Sequence, residues 1–349
     1  MIKSQALSHP EIELRPSFFR SSRGAGQPRT FLDLLEVYPD HVSLKENLDH
    51  LSLLNHFRFS EAEDLLNGER PQPLRIFFVE EFDFVDPQRL KAEPTLEINT
   101  TACFHSPTSL VKSGSASLIR TENGKRVALD GFYRISSGFA PPVAHVWFSH
   151  SLLEGQSSTY IIHGCPEIAK NLILTYVEQR NPILRPLSID AILFEYSLYE
   201  WGQGLSAPRN HLVAYENTSI SQFTPSQTAE AVEKLHALSQ ILHIIRGDVT
   251  DLQELLQYLV GVHKRLTALS AGRYDPVDIE SVEDSFAYLI SKTDTLKVWA
   301  VNYAERTGIR INLFFNLATQ SDSRTNLEIA RLTSKIAVST QRDSSSMIT

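Results

Sequence analysis

The sequence predicts an α+β fold, in which a mixed α/β sheet domain with flanking helices precedes a long antiparallel pair of helices. Short runs rich in β-branched and aromatic residues occupy the first half of the chain, whereas apolar residues at steps of three and four fill the last third. Strands and helices therefore follow one another in blocks rather than in regular βαβ units, which favours a mixed sheet.

Three regions are predicted along the 349 residues. Residues 1–30 combine four arginines with serine, glycine and proline, a composition that buries little surface, so we expect a flexible arm. Residues 31–220 form the predicted α/β domain, and residues 221–349 form a helical region. At the start of the α/β domain, leucines at helical spacings over residues 31–66 predict two or three short helices.

The sheet is predicted from runs with the composition of strands. These runs cover residues 74–79, 96–104, 116–120, 126–135, 143–149 and 159–162. Asn123 and Gly124 lie between the third and fourth runs, and both residues tolerate the positive φ of a type I′ turn. Residues 116–135 are therefore predicted to form a hairpin.

Two helical segments are predicted after the last strand. Pro166 suits the first turn of a helix, and Asn181 with Pro182 ends it, so this helix reaches about residue 180. The second segment covers residues 187–201.

The last third of the chain begins with a capping-box pattern at Thr224, Pro225 and Gln227. The apolar series that follows keeps steps of three and four as far as Leu269, and Gly272 can close it. This pattern predicts either one helix of more than 40 residues or two helices joined near Gly247.

A second helical series starts after Pro276 and carries heptad positions such as Val282, Phe286 and Leu289. If it is unbroken from about residue 278 to residue 349, it reaches about 105 Å. A helix of that length cannot bury its far half against its own domain, so that half must face water or partner helices. The sequence therefore predicts a C-terminal stalk helix.

Composition excludes several classes of function. A net charge of −8 argues against a nucleic-acid surface, which needs lysine and arginine to displace counterions. The two cysteines, Cys103 and Cys165, predict free thiols in a reducing compartment rather than a disulfide framework. The sequence contains no run of 18 apolar residues, so it predicts no membrane span. It also contains no nucleophile elbow, phosphate loop or dinucleotide fingerprint, so no motif predicts an enzyme.

The run from Arg306 to Thr349, RTGIRINLFFNLATQSDSRTNLEIARLTSKIAVSTQRDSSSMIT, resembles the stalk segment of fungal CorA-like divalent-cation (Mg²⁺) transporters. A second match is the run LRPLSIDA from Leu184 to Ala191, followed by Trp201. The resemblance implies the family's cytoplasmic funnel fold, a position on the cytoplasmic side of a membrane, and a homo-oligomer, which is a pentamer in the full-length family.

The sequence departs from that family at its pore. The Gly-Met-Asn signature and both membrane helices of the family are absent. We therefore expect a cytoplasmic regulatory domain that stops before the first membrane helix and does not transport alone, in contact with a membrane only through segments outside this sequence. A soluble interaction protein that retains a CorA-like scaffold is the alternative.

Carboxylates at the start of the predicted stalk are the candidate metal ligands. Mg²⁺ or another divalent cation prefers oxygen ligands, and Asp278, Glu280, Glu283 and Asp284 follow Asp275 closely. Acidic residues in a first helical turn also complement the helix dipole, so both readings stay open.

The resemblance also implies a role for two residues near the end of the chain. Ser344 and Met347 lie three residues apart and match the family's approach to the pore mouth, with a frayed terminus as the alternative.

Three aromatic residues stand at apolar helical positions and are predicted to be packing residues: Trp201, Trp299 and Phe286.

Overall fold

The computed structural model describes most of residues 31–56, and then residues 74–81, 115–139, 143–153, 158–178, 181–219, 223–270 and 272–346. The predicted arm over residues 1–30 and the predicted strand over residues 96–104 lie outside these ranges. Within the described ranges, no helix combines the length and the apolar character that crossing a bilayer requires.

Seven strands form one mixed sheet, which confirms the predicted fold class. Their order across the sheet is β2-β1-β3-β7-β6-β5-β4. The pairing of β3 with β7 is parallel, and the other neighbouring pairs are antiparallel. The strands are β1 (Phe31–Val37), β2 (Val42–Leu48), β3 (Leu74–Glu81), β4 (Ala116–Glu122), β5 (Lys125–Ile135), β6 (Ala144–Ser151) and β7 (Ser158–His163).

Strands β1 and β2 stand where the leucine spacing predicts short helices, so the prediction is wrong for residues 31–48, whereas residues 52–53 and 55–56 are helical and residues 57–66 lie outside the described residues. Strand β1 pairs with β2 on one side and with β3 on the other. Its adjacent residues Leu34 and Leu35 are both buried, which means that apolar side chains cover both faces of the strand. A strand buried on both faces loses the alternation that would identify it, and strand pairing here overrides the helical preference of leucine.

The predicted hairpin is confirmed. Strands β4 and β5 pair antiparallel, and Glu122 and Lys125 are the last partners before the turn. Asn123 has a φ of 50° and Gly124 has a φ of 78°, as a type I′ turn requires.

Four α-helices follow β7 in the part of the chain that the structure describes. They are α1 (Glu167–Glu178), α2 (Ser188–Asn217), α3 (Pro225–Leu269) and α4 (Pro276–Ser346), and a short 3₁₀ helix, Asn181–Leu184, precedes α2. Helix α2 runs well past the predicted end at residue 201, although Pro208 lies inside it. Leu205 before the proline and Leu212 after it are both buried, so their packing outweighs the hydrogen bond that the proline removes.

The start of α3 has the predicted capping box. The amide of Thr224 donates to Oε1 of Gln227 over 2.9 Å, and the amide of Gln227 donates to Oγ1 of Thr224 over 3.4 Å. Helix α3 is one helix of 45 residues that passes Gly247 without a break. Gly272 then takes a φ of +83° in the turn before α4, which is one helix of 71 residues.

The described residues group into two compact units. One unit contains the described residues up to Trp201 together with Asp251–Asp294, and the other contains those of Gly202–Thr250 together with those from Thr295 onward. In the first unit, one face of the sheet contributes a core cluster that consists of Leu32, Leu34, Leu53, Phe77, Val79, Trp147 and Ile161. The division into residues 31–220 and 221–349 stays a prediction.

The second unit has its own core and its own ion pair. The ring of Phe314 contacts Tyr215 and Phe223 edge to face, with centroids 6.1 and 4.8 Å away. Nε of Arg306 donates to Oε1 of Glu216 over 3.0 Å, which joins α4 to the end of α2 beside this aromatic group.

Gly131 in β5 leaves no room for a side chain. A Cβ atom there would lie against Cζ of the fully buried Phe148 on β6, closer than van der Waals contact permits. We expect Gly131→Ala to lower the free energy of unfolding by about 2–3 kcal/mol, because overpacking forces the ring and backbone to shift. Urea denaturation of the purified chain measures this change.

The matched control is Gly247→Ala in α3, where an added Cβ meets no atom within 4 Å. Alanine is the better helix former, so this variant should keep or raise the stability by up to about 1 kcal/mol. Equal urea midpoints for the two variants would contradict the packing argument.

Candidate cation site and a buried polar network

The predicted metal ligands lie at the start of α4, and Asp278 among them already has a cationic partner. Nε of Arg185, just before α2, donates to Oδ1 of Asp278 over 3.2 Å. Nη1 of the same guanidinium donates to Oγ of Ser281 over 2.6 Å. Arg185 therefore holds the first turn of α4 and partly neutralises the carboxylate that the sequence singles out.

The other three predicted ligands are exposed on the first turns of α4. Oε1 of Glu283 lies 4.0 Å from Nδ1 of the buried His263, while Glu280 and Asp284 point to solvent. In the part of the chain that the structure describes, no three His, Cys, Asp or Glu side chains are grouped closely enough to hold a metal ion. Binding at Asp278, Glu280, Glu283 and Asp284 stays a prediction.

One of the two predicted pore-approach residues falls at the end of α4. Ser344 belongs to its last turn, and Met347 lies outside the described residues. From Asp322 to Thr340 every side chain of α4 is exposed. The role of Ser344 and Met347 stays a prediction.

Two of the three predicted packing residues are buried. Trp201 is 1% exposed and donates through Nε1 to the carbonyl of Ser136 over 3.1 Å, and Phe286 is also 1% exposed. Trp299 is 49% exposed and stacks on Tyr303 with a centroid distance of 5.6 Å, so it packs at the edge of the core and not inside it. Trp299 therefore borders the buried side of α4, where Ala300 and Tyr303 lie, without being covered itself.

A buried polar network in the first unit is a feature that the sequence analysis does not identify. Asp190, in the first turn of α2, is completely buried. Its Oδ1 accepts a hydrogen bond from the hydroxyl of Tyr133 on β5 over 2.7 Å, and its Oδ2 accepts one from the hydroxyl of Tyr160 on β7 over 2.6 Å. The carboxylate thereby joins the start of α2 to two strands of the sheet.

His150 on β6 extends this network. Its Nε2 lies 3.4 Å from the hydroxyl of Tyr160, and its Nδ1 lies 2.7 Å from Oγ of Ser158. Burial lowers the pKa of His150 to about 3, and the positive charge of Arg273 acts in the same direction. His150 is therefore a neutral hydrogen-bonding group at physiological pH.

Asp190 shows the opposite shift. Burial raises its pKa to about 6, although the hydroxyls of Tyr133 and Tyr160 favour the charged form. Burial and the charge of Asp190 in turn raise the pKa of both tyrosines well above the ordinary value. A carboxyl with this pKa changes its charge close to physiological pH.

Asp190 belongs to the run LRPLSIDA, which the sequence analysis uses only as a sign of resemblance. An acidic residue in a first helical turn is typical of a solvated helix start. The signal that could have identified it is its setting, because Ile189, Ile192 and Leu193 around it are all buried. An aspartate flanked on each side by core residues needs buried donors, which tyrosines on the strands supply.

Comparison with known proteins gives no match at the level of sequence families. No protein-family model matches the chain. No curated protein matches it either.

Solved structures, in contrast, share the fold. The cytoplasmic domain of ZntB from Vibrio parahaemolyticus RIMD 2210633 matches 85% of this chain and 99% of its own, with 10% identity and a TM-score of 0.50. Full-length CmaX matches 86% of this chain and 81% of its own, with 12% identity and a TM-score of 0.55. The CorA magnesium transporter from Methanocaldococcus jannaschii matches 84% of this chain and 80% of its own, with 10% identity and a TM-score of 0.47. At such identities the matches to the ZntB domain and to CmaX, with TM-scores of 0.50 and 0.55, show the fold and nothing more.

His150 should set part of the acid sensitivity of the fold. The folded protein keeps this histidine neutral down to about pH 3, whereas the unfolded chain protonates it near its ordinary value of about 6.5. Stability is therefore lost as the pH falls below about 6.5, and His150 accounts for about 2 kcal/mol of loss between pH 7.5 and 5.0. His150→Gln, which does not titrate, should remove that part of the loss.

Urea denaturation at the two pH values measures the difference for each protein. Because Asp190 is present in both, its own pH dependence cancels when the two differences are compared. An identical acid loss in the original chain and in His150→Gln would contradict the assignment.

Proposed function

We propose that the chain is the cytoplasmic regulatory domain of a CorA-like divalent-cation transporter, of the fungal kind that the run from Arg306 to Thr349 resembles. The observation that carries this proposal is the order of the fold: a seven-stranded mixed sheet, then α3, then the 71-residue α4. The ZntB cytoplasmic domain shares this fold over 99% of its length. In this role the chain binds cations and responds to them, and it does not catalyse a reaction.

Helix α4 supports the proposal through its length and its two apolar seams. At 1.5 Å per residue its 71 residues span about 105 Å. Its buried seam includes Val282, Phe286, Leu289, Ala300 and Phe314. Beyond this seam no described side chain from residue 315 to residue 340 is buried, which fits an element that joins a domain to a distant part of an assembly.

A second seam on α4 is exposed, and its spacing fits a partner helix. Phe315, Ile329, Leu332 and Ile336 are between 54% and 66% exposed. Together with Ala318, Asp322 and Thr325 they recur at alternating steps of three and four, a period of 3.5 residues. That period places all seven on one stripe of a left-handed coiled coil. We infer that copies of this chain pair along the stripe, as expected of a homo-oligomer such as a pentamer.

The acidic start of α4 is the part that responds to the cation. Mg²⁺ keeps several water molecules and takes few protein ligands, usually carboxylates. One chain offers Asp278, Glu280, Glu283 and Asp284 without grouping three of them as ligands. Carboxylates from a neighbouring copy would complete such a site, which would make cation binding favour assembly.

Removing the four carboxylates tests the cation response. The variant carries Asp278→Asn, Glu280→Gln, Glu283→Gln and Asp284→Asn. We expect light scattering to show that millimolar Mg²⁺ increases the mass of the unchanged chain relative to chelator, and that this variant shows no such increase. The physical reason is that neutral amides do not offset the cost of dehydrating the cation.

The matched control removes four exposed carboxylates elsewhere, through Glu178→Gln, Glu195→Gln, Glu233→Gln and Glu328→Gln. It changes the net charge equally and should keep the response. If the mass of the unchanged chain is the same with and without Mg²⁺, the cation response is wrong, and a soluble interaction protein with this scaffold becomes the better assignment.

Substitutions along the exposed seam test assembly separately. Ile329→Ser, Leu332→Ser and Ile336→Ser together should raise the dissociation constant of the oligomer by at least about 100-fold, because each buried side chain contributes roughly 1.5–3 kcal/mol. Sedimentation velocity over a range of protein concentrations measures this constant.

The control triple is Ile309→Ser, Leu327→Ser and Val338→Ser, which removes side chains that are 52–66% exposed on another side of α4. It should assemble as the unchanged chain does. Equal effects of the two triples would show that helix stability, and not the seam, controls assembly.

A further inference from the structure

Asp190 is a buried carboxylate that is held by hydroxyl groups. Both of its oxygens accept hydrogen bonds from tyrosines of the sheet, over 2.7 and 2.6 Å. Within the described part of the chain, no ion pair reaches Asp190. Its charge is offset by the two hydroxyls, by a hydrogen bond from its own backbone amide, and by the positive end of α2, where it occupies the first turn.

The groups that face this carboxylate come from each element around it. Strand β5 contributes Tyr133, β7 contributes Tyr160, and β6 contributes His150. Helix α3 adds the phenol of Tyr258, which interacts electrostatically with Asp190. Three further groups act on the neighbours of Asp190. His263 of α3 and Arg273 of the following turn act on His150, and Tyr274 of that turn acts on Tyr160.

These partners can satisfy Asp190 in either charge state. When it is charged, Tyr133 and Tyr160 both donate to it. When it is protonated, its new O–H can donate to the hydroxyl oxygen of Tyr160, which then turns its own hydrogen to Nε2 of His150, 3.4 Å away. The carboxyl of Asp190 keeps both tyrosines as partners in either state, so the network accepts one added proton without losing a contact to Asp190.

The backbone just before Asp190 stores strain. Leu187 has a φ of 62°, a left-handed conformation that leucine rarely adopts, and its side chain is buried. Its carbonyl accepts the first hydrogen bond of α2, from the amide of Ala191 over 3.1 Å. Opening at this point would relieve the strain, so the start of α2 must be held in place by its other contacts.

We propose that Asp190, with the hydroxyls of Tyr133 and Tyr160, forms a proton-operated latch that holds the start of α2 on the sheet more firmly at acidic pH than at neutral pH. The latch is a property of the first unit and is independent of the function proposed above.

The direction of the pH dependence follows from the state, closed or open, in which the carboxyl of Asp190 is more easily protonated. Burial raises the pKa of Asp190 to about 6, whereas the carboxyl of an opened α2 meets water and regains its ordinary value of 3.8. The closed state therefore binds the proton more tightly, and opening becomes more frequent as the pH rises through about 6. Between pH 5.0 and 7.5 the opening constant should rise roughly tenfold.

His150 provides a check on this sign. It is neutral when buried, so an opening that exposed it would become more frequent as the pH falls. Movement of α2 alone exposes Asp190 and leaves His150 on the sheet, whereas unfolding of the sheet exposes both. The direction of the pH dependence thus distinguishes the latch from general acid unfolding.

Native-state hydrogen exchange of the unchanged chain tests the proposal. Protection factors, corrected for the intrinsic pH dependence of exchange, are compared for the amides of residues 191–195 at pH 5.0 and 7.5. We expect roughly tenfold greater protection at pH 5.0 and no dependence on pH in Asp190→Asn. Equal protection at the two pH values, or greater protection at pH 7.5, would overturn the latch.

A pair of tyrosine variants keeps the test decisive if Asp190→Asn does not fold. Tyr160→Phe removes one donor to the charged form, so the midpoint of the transition should move to higher pH. Tyr258→Phe removes the hydroxyl of another tyrosine that faces the network without bonding to Asp190, and it should leave the midpoint unchanged. The infrared carbonyl band of a protonated carboxyl reports the same midpoint directly, and a midpoint near pH 4 in the unchanged chain would refute the proposal.

Discussion

Helix α4 is longer than the core that covers it, and much of the architecture follows from this constraint. Its first ten turns or so carry a heptad of buried side chains from Val282 to Phe314, whereas every side chain from Asp322 to Thr340 is exposed. The exposed stripe is not a continuation of the buried one, because it starts one residue later, at Phe315 instead of Phe314. One face of α4 therefore serves the fold of its own chain, and a rotated face is left for another helix.

The polar groups buried under α2 oppose one another as the pH changes. Burial disfavours the charged form of both Asp190 and His150, but the charged form is the deprotonated one for the aspartate and the protonated one for the histidine. Acidification therefore favours the closed state through Asp190 and disfavours the folded state through His150. An opening that exposes both Asp190 and His150 depends little on pH, because the two contributions oppose each other. The pH therefore mainly changes the local opening of α2, which exposes Asp190 alone.

The parts of the fold that the sequence predicts well are those fixed by local chemistry. The turn at Asn123 and Gly124 requires positive φ, and the capping box at Thr224 and Gln227 requires two side chains three residues apart. Both can be read from a few neighbouring residues. The length of α4 follows from an apolar series without an internal proline, whereas for α3 the series predicts either one helix or two joined near Gly247, and the structure has one.

The parts that the sequence does not predict depend on distant partners. Strand β1 has the leucine spacing of a helix, and only its pairing with β2 and β3 makes it a strand. Helix α2 passes Pro208 because buried residues lie on both sides of it, Leu205 before and Leu212 after. Asp190 meets Tyr133 and Tyr160, which are 57 and 30 residues away along the chain, so no local window contains the network.

The contact between Arg185 and Asp278 links the start of α2 to the start of α4. Arg185 lies in the segment that leads into α2, three residues before its first turn, and its guanidinium bonds to the first turn of α4. A cation that used Asp278 would have to compete with this resident positive charge, which lowers the affinity relative to a free carboxylate. If the cation displaces Arg185, the contact that holds the approach to α2 is lost at the same time. The cation binding proposed at the start of α4 and the latch proposed at the start of α2 would then act on one short segment, residues 185–190, from its two ends.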